Sequence, residues 1–157
     1  MSKLGLLGWL AGDTVEKQAT PNAALWDQRA VLEWIQRHIS LFGGDPAEVS
    51  LWGESAGAGS ITHHLIAHGG KSPGPALFKR AVLMSPAYDY HVERRGHLEK
   101  QYKEFEEYAG CKGKGLACLR AAPIDVITKA QKQQLDKMPG GKPGVGYDAP
   151  AFRSDNH

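Results

Sequence analysis

Val49-Ser50-Leu51-Trp52-Gly53-Glu54-Ser55-Ala56-Gly57 is the stretch whose reading decides the fold. A short, mostly apolar run leads into a serine with glycine two residues before it and two residues after it. In that setting G-x-S-x-G is the pattern of a nucleophile elbow. A strand turns abruptly into a helix, and the serine at the corner is forced into a strained backbone conformation that lifts its hydroxyl clear of the sheet. Residues 49–52 read as a strand buried on both faces. A Cβ at Gly53 or Gly57 is expected to collide with the adjoining strand or helix. Ala56, Gly57, Ala58, Gly59 and Ser60 are all small, so the following helix can approach the sheet closely; it is expected to run through Ile61 and Leu65 to about residue 67 and stop at Gly69-Gly70. Ser55 is therefore the candidate nucleophile.

Working outward, the elbow strand is entered through Asp45-Pro46, a turn, and preceded by a helix from Asn22, its expected N-cap, to about Ser40. Leu25, Leu32, Ile35, Ile39 and Phe42 recur at helical spacing and define one apolar face, and Gly43-Gly44 ends it. Residues 4–10 read as a buried strand or strand end, followed by a loop through Pro21. Beyond the elbow helix, Arg80-Ala81-Val82-Leu83-Met84 is a further buried strand. Strands alternating with helices predict an α/β fold with a short parallel sheet and flanking helices. After Pro86 the pattern becomes helical. Leu98, Tyr102, Phe105 and Ala109 mark one face of a charged helix ending at Gly110, and Pro123 opens another that carries Ile124, Ile127 and Ala130. Seven of the twelve residues 139–150 are Gly or Pro. The expected division is a partial α/β domain over 1–138 and a poorly ordered tail over 139–157.

Composition narrows the function classes. The 157 residues are 41% hydrophobic and 23% charged, as in a globular chain. Nineteen basic and seventeen acidic residues give a net charge of +2 with no long run of one sign, so neither nucleic acid nor an anionic membrane is indicated as a partner. No apolar stretch approaches the ~18–20 residues that span a bilayer. The opening residues place a lysine before apolar positions, but Gly5 and Gly8 interrupt them and no cleavage region follows, so no signal peptide is read there. Two cysteines seven positions apart, without a second pair of ligands, do not make a metal site, and no cofactor is indicated.

A general base must come within ~3 Å of the serine oxygen. His63 and His64 lie eight and nine residues past Ser55 on the same helix. At ~1.5 Å of rise per residue they are ~12–13 Å away along its axis, and a place on the helix surface is expected for both. His68 is further still, His38, His91 and His97 read as surface or packing residues, and His157 belongs to the tail. Glu54 adjoins the serine, yet a triad acid stands behind the histidine, on the side away from the nucleophile. Asp27 and Arg29 read as structural ion-pair residues, and the four tryptophans as core or groove residues.

Phe42-Gly43-Gly44, followed after four residues by the stretch quoted above, resembles the active-serine signature of type-B carboxylesterases. These are the cholinesterase and fungal lipase relatives within the α/β-hydrolase fold. Leu4-Gly5-Leu6-Leu7-Gly8-Trp9-Leu10, Asn22-Ala23-Ala24-Leu25-Trp26-Asp27-Gln28-Arg29, Leu77-Phe78-Lys79-Arg80-Ala81-Val82-Leu83-Met84-Ser85 and Cys118-Leu119-Arg120 resemble further family segments, over roughly residues 4–135. Pro86 stands where the family usually has glycine. The resemblance implies a partial α/β-hydrolase fold and a carboxylic-ester hydrolase. It assigns Ser55 as nucleophile, Ala56 as an oxyanion-hole donor through its backbone N–H, Glu54 as a buried residue supporting the site from behind, and Gly53 and Gly57 as the elbow glycines. It pairs Cys111 with Cys118 in a disulfide, where the residues alone also permit two free thiols. Family members are far longer and often secreted. Their second oxyanion donor comes from an upstream Gly-Gly segment, and their acid and histidine follow the nucleophile at greater distance than this chain reaches. Two readings stand: an ester hydrolase acting on a small-molecule carboxylic ester once completed by those segments, or a catalytically inactive piece of one. A non-catalytic adhesion relative fits less well, because Ser55 is present.

Overall fold

A computed structural model describes residues 5–71, 74–87 and 94–137. The elements are α1 (Leu6–Trp9), α2 (Asp13–Gln18), α3 (Ala23–His38), β1 (Ser50–Glu54), α4 (Ala56–Ile66), β2 (Arg80–Met84), α5 (Glu99–Tyr108), α6 (Gly115–Ala121) and α7 (Ile124–Lys137). They fall into two compact units: residues 24–71 and 74–87 form one, and residues 5–23 with 94–137 form the other. The expected tail at 139–157, together with His91 and His157, lies outside the described residues.

The first unit is a β–α–β crossover. β1 and β2 pair in parallel, with Ser50 opposite Arg80 and Glu54 opposite Met84, and α4 connects them. Two carbonyls on the approaches to these strands share one donor: the Gln36 side-chain amide of α3 reaches the Pro46 and Leu77 oxygens, each at 2.9 Å. Glu48, in the turn before β1, bridges the residue before β2 and the first residue of β2, contacting the Lys79 ammonium and the Arg80 guanidinium. These partners hold its carboxyl below the usual range.

α3 follows its expected course with one exception. Ala24 and Leu32 are buried, and Leu25, Ile35 and Ile39 are partly covered. Phe42 is exposed beside Trp34, with ring centroids 6.0 Å apart. The chain tightens into a 3₁₀ turn over Ile39–Phe42, and three residues per turn instead of 3.6 rotates position 42 off the apolar face.

The second unit is all helical, and here residues 4–10 depart from expectation. Residues 6–9 form a helical turn closed by Trp9 N–H to the Gly5 oxygen at 2.9 Å, with Leu6, Gly8 and Trp9 buried and Leu7 facing out. A short apolar run has no period that separates strand from helix, and its partners decide. The expected loop to Pro21 contains α2, which a buried carboxylate caps from another helix: Glu99 of α5 accepts the Thr14 N–H at 2.9 Å and the Thr14 hydroxyl at 2.6 Å. Gly12, at φ +125°, lets this happen, because a Cβ there would lie 3.1 Å from the Glu99 Cα.

α5 presents the face read from its sequence, with Leu98, Tyr102, Phe105 and Ala109 all buried. In α7, Ile127 and Ala130 are buried but Ile124 is 67% exposed; the third inward position is Gln134, whose amide donates to the Gln101 carbonyl at 2.8 Å. Cys111 and Cys118 form a disulfide across the turn from α5 into α6.

Candidate active site

Ser55 is the one residue between β1 and α4, and its backbone has φ 51° and ψ −118°. A non-glycine residue in that region is strained. Hydrogen bonds on both sides of the corner hold it: its N–H donates to the Met84 oxygen and its carbonyl accepts the Gly59 and Ala87 N–H groups, all at 3.0 Å. The Ala87 contact comes from the segment after β2, a part of the site that sequence reading missed. Ser85, next to Ser55 in the strand register, also has positive φ, at 44°. The only hint in the sequence was the Ser-Pro pair that follows an apolar strand.

The corner exists because of Gly53. A Cβ there would lie 2.6 Å from the Gly57 carbonyl carbon and 2.7 Å from the Ala58 nitrogen, so any side chain would push the first turn of α4 off the strand. Gly57 differs from expectation: a Cβ there meets nothing within 4 Å among the described residues. The small residues further along the helix do pack inward, with Ala58, Gly59 and Ser60 buried.

Ala56 is the first residue of α4, so its N–H has no helical carbonyl four residues back and lies at the positive end of the helix dipole. Ser55, Ala56 and Glu54 are all exposed. Exposure of Glu54 corrects the expectation that it is buried, and Trp52, on the same face of β1, is 71% exposed rather than sandwiched. The outward row of the two-stranded sheet is Ser50, Trp52 and Glu54 opposite Arg80, Val82 and Met84, and all six are exposed. A strand is buried on both faces only where both are covered.

The histidines of α4 differ from each other. His63 is buried, contrary to its expected surface place. His64 is partly covered, and its Nε2 lies 2.9 Å from the Gln28 side-chain oxygen. Burial, then the nearby Arg29 and His63, hold the His64 ring below its ordinary pKa of 6.5. Both rings remain two turns or more along the helix from the serine. His38 packs against Trp34 with centroids 5.1 Å apart, His68 is exposed in the turn that ends the helix, and His97 lies in the other unit, 3.0 Å from the Gln101 side-chain nitrogen. Among the described residues no cluster of three His, Cys, Asp or Glu is placed to hold a metal. No described helix is long and apolar enough to cross a membrane.

A strained serine at a β–α corner, on a parallel crossover of this kind, defines the elbow of an α/β-hydrolase. The sequence profile of the carboxylesterase family matches residues 3–149, and the chain belongs to that family. It is 51% identical over 136 residues to a secreted lipase of Arthroderma benhamiae, covering 87% of this chain and 26% of the lipase. It is 49% identical over 155 residues to the carboxylesterase patB of Aspergillus clavatus, covering 98% of this chain and 26% of that enzyme. The crystal structure of Aspergillus niger EstA superposes with a TM-score of 0.71 at 35% identity, over 83% of this chain and 25% of EstA. The chain thus spans about a quarter of the length of these relatives.

Proposed function

We propose that Ser55 is the nucleophile of a carboxylic-ester hydrolase of the serine esterase and lipase type. The observation that carries this is the backbone of Ser55, strained at the strand-to-helix corner and fixed there by the Met84, Gly59 and Ala87 hydrogen bonds. The serine oxygen attacks the ester carbonyl, and the Ala56 N–H donates a hydrogen bond to the carbonyl oxygen as negative charge develops there. A histidine oriented by an acid takes the serine proton and passes it to the leaving alcohol; water then releases the acyl group by the same route in reverse. Gly53 shapes the elbow by letting the first turn of α4 lie against β1. The names of the relatives, a secreted lipase and a carboxylesterase, support an ester as substrate.

The positions of His63 and His64 favour a second statement within this reading: the acid and histidine belong to polypeptide outside these 157 residues, and the chain by itself is catalytically inactive. Without a base the serine is an ordinary alcohol, and an oxyanion hole with one of its two donors removed loses a further ~3–4 kcal/mol. One experiment tests both. The segment is grafted in place of its counterpart in the Arthroderma lipase, and the chimera and the free chain are assayed on p-nitrophenyl esters with Ser55→Ala controls. The chimera is expected to hydrolyse the esters and to lose on the order of 10⁴–10⁶-fold on substitution, whereas the free chain shows no difference from its variant. A folded chimera indifferent to Ser55→Ala overturns the nucleophile, and a Ser55-dependent burst from the free chain overturns its inactivity.

A further inference from the structure

Glu106 holds the disulfide ring from both ends. Its backbone carbonyl accepts the Cys111 N–H at 2.8 Å, while Gly110, at φ 70°, donates to the Glu107 oxygen at 3.0 Å. This is the paired bonding of a Schellman motif, which stops α5 and aims the chain into the ring. The carboxylate reaches the far side: Oε2 accepts the Gly113 N–H at 3.0 Å, Oε1 accepts the Gly115 N–H at 2.6 Å, and the Tyr102 hydroxyl donates to Oε1 at 3.4 Å. Gly113 and Gly115 both have φ 71°, and Lys114 between them has φ −98° and ψ −5°. The Gly113 and Gly115 N–H groups both turn to the carboxylate, while the Lys114 N–H between them donates to the Cys111 carbonyl at 2.8 Å. The carboxylate belongs to the same unit, and Glu106 is only 6% exposed. Its bonds are therefore charge-assisted and shielded from water.

None of these bonds needs the sulfur–sulfur bond. We propose that Glu106 is a template for the ring, keeping residues 111–118 closed when the disulfide is reduced. The two thiols then stay neighbours, and the protein resists thiol reductants. Reduction by glutathione consumes two thiols, releases one glutathione disulfide and leaves Cys111 and Cys118 each with a proton. The reverse reaction passes through a mixed disulfide that the second cysteine resolves. Pre-organisation raises the effective concentration at that resolving step, so the equilibrium lies further toward the closed ring.

The test equilibrates the purified chain in graded glutathione buffers at neutral pH, quenches with acid, alkylates and counts free thiols by mass. Glu106→Gln keeps the shape and removes the charge. Glu107→Gln, whose native partner is the exposed Lys112 at 3.1 Å, is the neighbouring control. Glu106→Gln is expected to be half reduced at a ratio of squared glutathione to its disulfide at least about tenfold below wild type, while the control stays within about twofold. A folded Glu106→Gln variant within twofold of wild type overturns the proposal. Should that variant fail to fold, hydrogen exchange on reduced wild-type protein decides. Protected Gly113 and Gly115 amides support the template, and exchange at the rate of an unstructured peptide refutes it.

Discussion

Replacing each elbow glycine by alanine separates two residues that the motif treats alike. In Gly53→Ala the new methyl would sit 2.6 Å from the Gly57 carbonyl carbon, 2.7 Å from the Ala58 nitrogen and 2.7 Å from the Gly57 oxygen. Carbon atoms in comfortable contact are ~3.5–4.0 Å apart. All three obstacles are backbone, so no side chain can rotate away, and the first turn of α4 has to retreat from β1 by about an ångström. Overpacking on that scale costs ~1–3 kcal/mol, and the absence of a soft neighbour puts this case near ~3. In Gly57→Ala the methyl meets nothing within 4 Å among the described residues. Alanine is the better helix former by up to ~1 kcal/mol, less in a first turn, so a gain of about 0.5 kcal/mol is expected. The assay is urea unfolding followed by tryptophan fluorescence, since Trp26, Trp34 and Trp52 all belong to the unit being tested. The midpoint should fall sharply for position 53 and hold or rise for position 57. Equal midpoints for the two variants, or a Gly53→Ala midpoint at the wild-type value, would refute the steric reasoning.

Two pH effects follow from buried rings. Burial first, then Glu106 and Glu99, push the Tyr102 hydroxyl up to about 12 from 10.0. Between those values the unfolded chain gives up a proton that the folded one keeps, so stability should fall as pH rises through that window; Tyr102→Phe should flatten that fall, and a tyrosinate absorbance titration showing all five tyrosines ionising near 10 would contradict it. The His64 ring, held below 6.5, should stay neutral in the folded chain while the unfolded chain protonates, so stability should drop as pH falls from 6.5. An NMR titration of the ring with a midpoint at or above 6.5 would contradict the burial assigned to it.

The parts of the fold legible in the sequence are those whose signal is local. The elbow shows in five residues because Gly53 and Ser55 serve a backbone path that few other residues permit. The inner face of α5 shows because Leu98, Tyr102, Phe105 and Ala109 recur at three and four positions. What stayed hidden depends on distant partners. Residues 6–9 are helical, and Asp13–Gln18 is a helix rather than a loop, although the Asp13–Lys17 pair, 2.5 Å apart in the structure, was a readable helical spacing. The capping carboxylate that holds Thr14 lies 85 residues away, and no window along the chain brings the two into view. Exposure of Trp52 and Glu54 is hidden for a different reason: an apolar strand records the cover it is suited to, and the row opposite Arg80, Val82 and Met84 has none among the described residues. The Ala87 bond to the Ser55 carbonyl depends on strand register, which the sequence leaves open.

The pairing of residues 5–23 with 94–137 sets an order of events at the ribosome. Synthesis proceeds at ~5–20 residues per second, so Thr14 waits between about four and seventeen seconds for Glu99 to be made. The β–α–β unit can be completed inside that interval from contiguous chain. Leu6, Trp9 and Val15 belong to the unit that residues 94–137 complete, so they wait longer for it than the β–α–β unit does, which makes residues 5–23 a natural place for a chaperone to hold the nascent chain.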